Sequence, residues 1–150
     1  MQALIVYDSL YGNTEQIARA IASGLTAMGE VRVARVSDVS PSEIPGAKLV
    51  IIGSPTQGGR PTKAMQEFIA GIPGDALKGA KVAAFDTRIS TKLVGVFGYA
   101  AGRIGGNLNK KGGTLVESPE GFFVKSTKGP LKDGELERAA KWAESLVNLV

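Results

Sequence analysis

The chain has 150 residues, a formal charge of +4, and neither cysteine nor histidine, so one domain covering 1–150 is expected. The missing thiols and imidazoles exclude disulfides, thiolate nucleophiles, Fe–S ligation and ordinary zinc sites, and they remove the commonest acid–base side chain, which leaves any chemistry to a bound cofactor. Lysines and arginines are scattered, with only Lys110 and Lys111 adjacent, and aromatics are 6% of the chain, which reads as surface charge and not as a nucleic-acid footprint.

Residues 4–7 are a continuous apolar strand and not a leader peptide, and no apolar run reaches the ~20 residues of a membrane span, so a cytoplasmic protein is expected. Ile17, Ile21, Leu25 and Met28 then recur at helical spacing, with Gly29 as a stop. Residues 31–36 alternate as an edge strand does. Residues 41–45, bounded by two prolines, are too short and broken for a full helix. Residues 49–52 form the second buried strand. Met65, Phe68, Ile69 and Ile72 mark a helix opened near Pro61 or Thr62, and 81–85 is another buried strand.

Phe97, Ala101, Ile104 and Leu108 mark the next helix. Gly95, Gly98, Gly102, Gly105 and Gly106 recur beside them at three-to-four spacing, which points to close packing of that face on the sheet rather than a loose lid. The last strand opens at 114–116 and continues at 122–124 after a turn at 119–121. Leu136, Ala139, Ala140, Ala143, Leu146 and Val147 form the final amphipathic helix, with Asp133 as its expected N-cap.

Fully apolar strands separated by helices imply a parallel sheet covered on both faces. Right-handed crossovers favour five strands in the order 2-1-3-4-5. The ligand crevice of that order lies at the C-terminal ends of strands 1 and 3. Function is therefore expected after Tyr7, after Ile52 and after Phe85.

The first of these loops holds Ser9, Leu10, Tyr11, Gly12, Asn13 and Thr14. Its hydroxyls and amide, a glycine that admits close backbone approach, and a helix N-terminus together make an anion site without a cation. The other reading of this stretch is a turn that merely caps the helix. The loop lacks the lysine of an NTP-binding loop and the G-x-G-x-x-G dinucleotide fingerprint. The second loop runs Gly53-Ser54-Pro55-Thr56, with no acidic cluster of the kind a receiver domain carries.

Ser9-Leu10-Tyr11-Gly12-Asn13-Thr14 resembles the phosphate loop of the flavodoxin family, in the form S/T-x-T/Y-G-x-T. Gly53-Ser54-Pro55-Thr56 is similar to that family's second flavin loop, and the order of strands and helices matches throughout. The resemblance implies a flavodoxin-like three-layer sandwich that binds FMN. Ser9, Leu10, Tyr11, Gly12, Asn13 and Thr14 would hold the phosphate, largely through backbone N–H groups. Pro55, Thr56, Gln57, Gly58 and Gly59 would follow the ribityl chain and the isoalloxazine. The third loop, Asp86-Thr87-Arg88-Ile89-Ser90-Thr91, would supply polar contacts to the pyrimidine edge, from Asp86, Thr87 and Arg88 above all.

The family commonly stacks its flavin between a tryptophan of the second loop and a tyrosine of the third, and neither is present here. Tyr11, Phe97 and Tyr99 are the aromatic side chains near these loops. Arg60, Lys63, Arg88 and Lys92 lie in or beside these loops, either as ordinary solvated surface or as an electropositive rim, whereas the family is typically acidic there. The resemblance implies an electron carrier serving a redox protein partner, and the rim, as the alternative to solvated surface, would select an acidic partner or an anionic substrate. The alternatives are an FMN-dependent NAD(P)H:quinone reductase and a module that keeps the fold without FMN.

Overall fold

The computed structural model describes residues 2–90 and 99–150. Thr91, Lys92, Gly95, Phe97 and Gly98 lie outside the described residues. In chain order the elements are β1 (Ala3–Tyr7), α1 (Asn13–Gly24), β2 (Val31–Arg35), β3 (Leu49–Pro55), α2 (Lys63–Ala70), β4 (Lys81–Ile89), α3 (Ala100–Lys110), β5 (Thr114–Leu115), β6 (Glu120–Val124) and α4 (Glu135–Val147). Short 3₁₀ turns occupy Thr26–Met28, Val36–Asp38 and Pro41–Glu43.

The strands pair in the order β2-β1-β3-β4-β5, all parallel, and β6 also pairs with β4. The expected order therefore holds, but the fifth position is shared by two short strands. β5 meets β4 at Lys81 and Val82, and β6 meets it from Phe85 to Ile89. The break contains Pro119, which cannot donate to a ladder and so is confined to strand ends and edges.

Alternation along the strands divides the core. Leu4, Val6, Val50, Ile52, Val82 and Ala84 pack against the α2–α3 side. Ala3, Ile5, Leu49, Ile51, Ala83 and Phe85 pack against α1 and α4. On that second side the rings of Phe85, Phe122 and Trp142 meet edge to face, with centroids 6.0–6.4 Å apart. Gly53 makes room for them, because a Cβ there would fall 2.1 Å from the Phe85 ring.

Helix ends follow local chemistry with one correction. Thr62 caps α2, its hydroxyl accepting from Met65 N at 3.2 Å. The N-cap of α4 is Gly134 at φ 85, not Asp133, which is fully exposed and faces Lys125 at 3.9 Å. The glycine face of α3 packs closely at Gly105, where a Cβ would lie 3.1 Å from Pro119, but Gly102 and Gly106 face open space.

Candidate functional site

The loops at the C-terminal edge of the sheet are held by a chain of buried polar contacts. Just past β1, Asp8 Oδ1 accepts from Ser9 N at 2.9 Å, and Oδ2 accepts from the Thr62 hydroxyl at 2.5 Å. Arg35 at the end of β2 donates to Ser9 O at 2.9 Å and lies 3.8 Å from Asp8. Asp8 thus ties together β1, β2 and the start of α2. Ser54 Oγ, at the end of β3, accepts from Thr62 N at 3.0 Å and completes the tie.

The loop between β1 and α1 is wound around Ser9. Its Oγ accepts from Gly12 N at 3.1 Å and from Glu15 N at 3.4 Å. Gly12 stands at φ 92, a conformation that costs an L side chain strain, and it turns the chain into the first turn of α1. The first N–H groups of α1 have no carbonyl one turn earlier to bond, and they aim the positive end of the helix dipole at the same place. Asn13 Nδ2 donates to Lys128 O at 3.2 Å, which draws the chain after β6 up to this loop.

A cleft of about 340 Å³ opens here, bounded by the ends of β1, β3, β4 and β6. Eleven of the fourteen expected residues line it: Ser9, Leu10, Tyr11, Asn13 and Thr14 on one side, and Pro55, Thr56, Gln57, Gly58, Thr87 and Arg88 on the other. At its floor the hydroxyls of Thr14 and Thr87 lie 2.8 Å apart. One proton occupies that bond, so the second O–H of the pair is available to an acceptor in the cleft. Thr56 is fixed by accepting from Ala100 N at 3.0 Å, and its own N–H donates to Thr87 O at 2.9 Å.

Gly12 and Gly59 shape the walls without lining the cleft. Asp86 does not line it either, and this changes the expected third loop. β4 runs on to Ile89, so Asp86, Thr87 and Arg88 lie on a strand and alternate in direction. Asp86 is fully buried, accepting from Arg88 Nε at 2.6 Å, Arg88 Nη2 at 2.7 Å and Ala101 N at 2.9 Å. Its carboxylate fastens α3 to the sheet. The Arg88 guanidinium also lies over the Tyr99 ring, 3.4 Å from its centroid, which engages Tyr99 outside the cleft lining.

Ile89, expected within the third loop, lines the cleft, and Val124 and Thr127 line it unforeseen. The sequence carries a faint signal for Ile89, which follows Phe85 and Thr87 at the two-residue period of one strand face. The expected basic rim is dispersed. Of its described members, Arg60, Lys63 and Arg88, only Arg88 reaches the cleft, already paired with Asp86. Lys63 is 90% exposed beside Glu67 at 4.0 Å, and Arg60 lines a different cleft.

The site thus fits a phosphorylated ligand with an extended apolar part. Hydroxyls and helix N–H groups gather at one end, and Pro55, Ile89 and Val124 provide apolar wall beyond them. The fold and this cleft define a doubly wound α/β protein whose ligand site lies at the topological switch point between β1 and β3. A model of the flavodoxin family matches residues 5–142, and the chain belongs to that family, whose members bind FMN and carry electrons.

The chain is 48% identical over 60 residues to an uncharacterized protein of Methanocaldococcus jannaschii, across 37% of this chain and 15% of that protein. It is 30% identical over 108 residues to a flavodoxin of Aquifex aeolicus, across 71% of this chain and 54% of the relative. The chain therefore spans about half the length of one of these curated relatives and much less of the other. In fold it superposes on oxidised flavodoxin 1 of Bacillus cereus with a TM-score of 0.83, covering 100% of this chain and 99% of that one at 20% identity. Among the described residues no helix is long and apolar enough to cross a membrane, and no cluster of acidic side chains could hold a metal ion.

Proposed function

We propose that residues 1–150 act as one domain that holds FMN in the cleft at the ends of β1, β3 and β4 and delivers electrons to a protein partner in the cytoplasm. The observation that carries this reading is the meeting of the α1 N-terminus with the Thr14–Thr87 hydroxyl pair in a single cleft at the switch point. When bound, FMN supplies the electron-accepting ring. The protein's part is to hold, orient and shield it.

Ser9, Asn13 and Thr14, with the N–H groups of the Gly12 turn, receive the phosphate. Thr87 shares the phosphate with Thr14 through their joined hydroxyls, and Thr56 flanks the chain that joins phosphate to ring. Pro55, Gln57, Gly58, Arg88, Ile89 and Val124 enclose the ring system, replacing the stacked aromatics that the loops lack. Leu10 and Tyr11, 50% and 51% exposed, form the outer lip.

The test is a titration of apoprotein with FMN, FAD and riboflavin, followed by stepwise reduction watched by absorbance. One FMN per chain, bound more tightly than FAD, is expected, because the loop fits a terminal phosphate and no dinucleotide fingerprint is present. Equal affinity for FAD, or no flavin bound at all, overturns the reading. Rapid turnover with NADPH and a quinone would assign an enzyme in place of a carrier.

A further inference from the structure

We propose that the second cleft, between α2 and α3, is the seat for an acidic segment of the protein partner; this rests on the electron-carrier reading above. It has a volume of about 330 Å³, and Arg60, Arg103 and Lys110 line it together with the amides of Gln66 and Asn107 and the apolar Ile69. Among the described residues no carboxylate lines it. Arg60 and Lys110 make no ion pair among the described residues. The chain as a whole carries +4, so an acidic protein is steered toward it and this cleft concentrates the field.

The surface of α3 is built for close approach. Gly106 lies in the cleft and Gly102 one turn before it, and a Cβ at either would meet nothing within 4 Å. Each glycine weakens the helix relative to alanine, and no packing against the described residues explains these two. A partner's main chain can lie against them with its carboxylates on the cations at either side. The cations come from the middle and C-terminal end of α3 and from the turn before α2. The α2 N-terminus begins beside the cleft, but the Thr62 hydroxyl caps it by accepting from Met65 N at 3.2 Å, and Pro61 brings no N–H to a free phosphate. It suits instead an extended segment bearing several carboxylates and an apolar side chain for Ile69.

The same turn walls both clefts. Gln57 N donates to Arg60 O at 2.8 Å, and Arg60 N donates to Gln57 O at 3.0 Å. Gln57 and Gly58 face the first cleft while Arg60 faces the second. Arg103 Nε donates to Gly59 O at 2.9 Å, so α3 holds the turn from the partner's side. A segment seated on Arg60 and Arg103 is thus one turn of chain away from the proposed flavin.

The probe is a deca-glutamate peptide added to FMN-loaded, isotope-labelled protein at low salt, followed by amide NMR shifts. Saturable shifts centred on Arg60, Asn107 and Lys110 are expected. The double substitution Arg60→Gln with Lys110→Gln should weaken the peptide about 5- to 30-fold and leave FMN affinity within about twofold. Lys132→Gln with Lys141→Gln removes the same charge elsewhere and should leave peptide affinity within about twofold. Equal weakening by both pairs, shifts spread over other faces, or no saturable binding overturns the proposal. So does tripolyphosphate that displaces the peptide and binds more tightly, since the cleft would then be a small-anion site. Unaltered protein that binds no FMN overturns the cofactor reading instead, which the absorbance titration reports separately.

Discussion

Thr14 Oγ1 and Thr87 Oγ1 share a 2.8 Å hydrogen bond that joins the first turn of α1 to the far end of β4, and both side chains are buried. Two hydroxyls hold two protons, and the shared bond uses one. The other can be given to a phosphate oxygen, a charge-assisted bond of about 1.5–3 kcal/mol. Thr14→Ala and Thr87→Ala should each weaken FMN by about one to two decades. The double variant should lose less than the sum, because the pair acts as one donor. Riboflavin, without a phosphate, should bind all variants nearly alike. A calorimetric series in which riboflavin falls as far as FMN would make the pair purely structural.

Thr62 has two tasks at the start of α2, and its removal should be felt in stability before ligand binding. Its hydroxyl donates to Asp8 Oδ2 and accepts from Met65 N. Thr62→Ala deletes an N-cap and leaves a buried carboxylate oxygen short of a donor, for a loss of about 1–3 kcal/mol. Thr62→Ser should recover most of it. Urea unfolding of the apoprotein measures both, and an alanine variant as stable as the parent would show the Asp8 tie to be slack.

Much of this fold is legible because its strands are apolar on both faces and its helices amphipathic, so the period of the pattern changes at each boundary. The phosphate loop is legible because backbone geometry, not a rare side chain, makes it. The parts missed depend on the phase of a strand. The polar residues at 86–88 resemble a loop in sequence, yet they continue β4, and the pleat then decides that Thr87 faces the cleft while Asp86 caps α3. Val124 and Thr127 enter the site only because β6 pairs with β4 and Asn13 reaches Lys128 O. Arg60 lies just before α2 and Lys63 opens it, but the turn from Gln57 to Arg60 sends them away from the first cleft.

Asp86 and Arg88 form a coupled pair, the carboxylate fully buried and the guanidinium side chain 14% exposed. Arg88→Gln leaves the buried carboxylate with Ala101 N as a donor and no cation, a loss of about 3–5 kcal/mol. Adding Asp86→Asn should restore part of this, since a neutral amide can still accept from Ala101 N without a charge to solvate. A double-mutant cycle by chemical unfolding should give a coupling of at least about 1 kcal/mol. Additive losses would mean that the two side chains act independently despite their 2.6 Å contact.

Glu135 anchors β6 beside the cleft, and its ionisation makes that anchor sensitive to acid. Its Oε2 accepts from Phe123 N at 2.7 Å and from Arg138 Nη2 at 2.7 Å, and its Oε1 accepts from Arg138 Nε at 2.8 Å. These bonds, from Arg138 foremost, hold its pKa below the usual glutamate range although burial pulls the other way. A carboxyl whose pKa is lower in the folded state stabilises the fold when ionised. Its contribution is complete above the unfolded value, about pH 4.3, and disappears as pH falls through the lower folded value. Glu135→Gln should therefore cost about 1–2 kcal/mol at neutral pH, discounted because Arg138 is partly exposed. The gap between parent and variant should narrow steadily below about pH 4.3, with loosening of β6 reported by amide exchange at Phe123. Urea midpoints from pH 3 to pH 7 that stay a fixed distance apart would mean that the packing of Glu135, and not its charge, supports the strand.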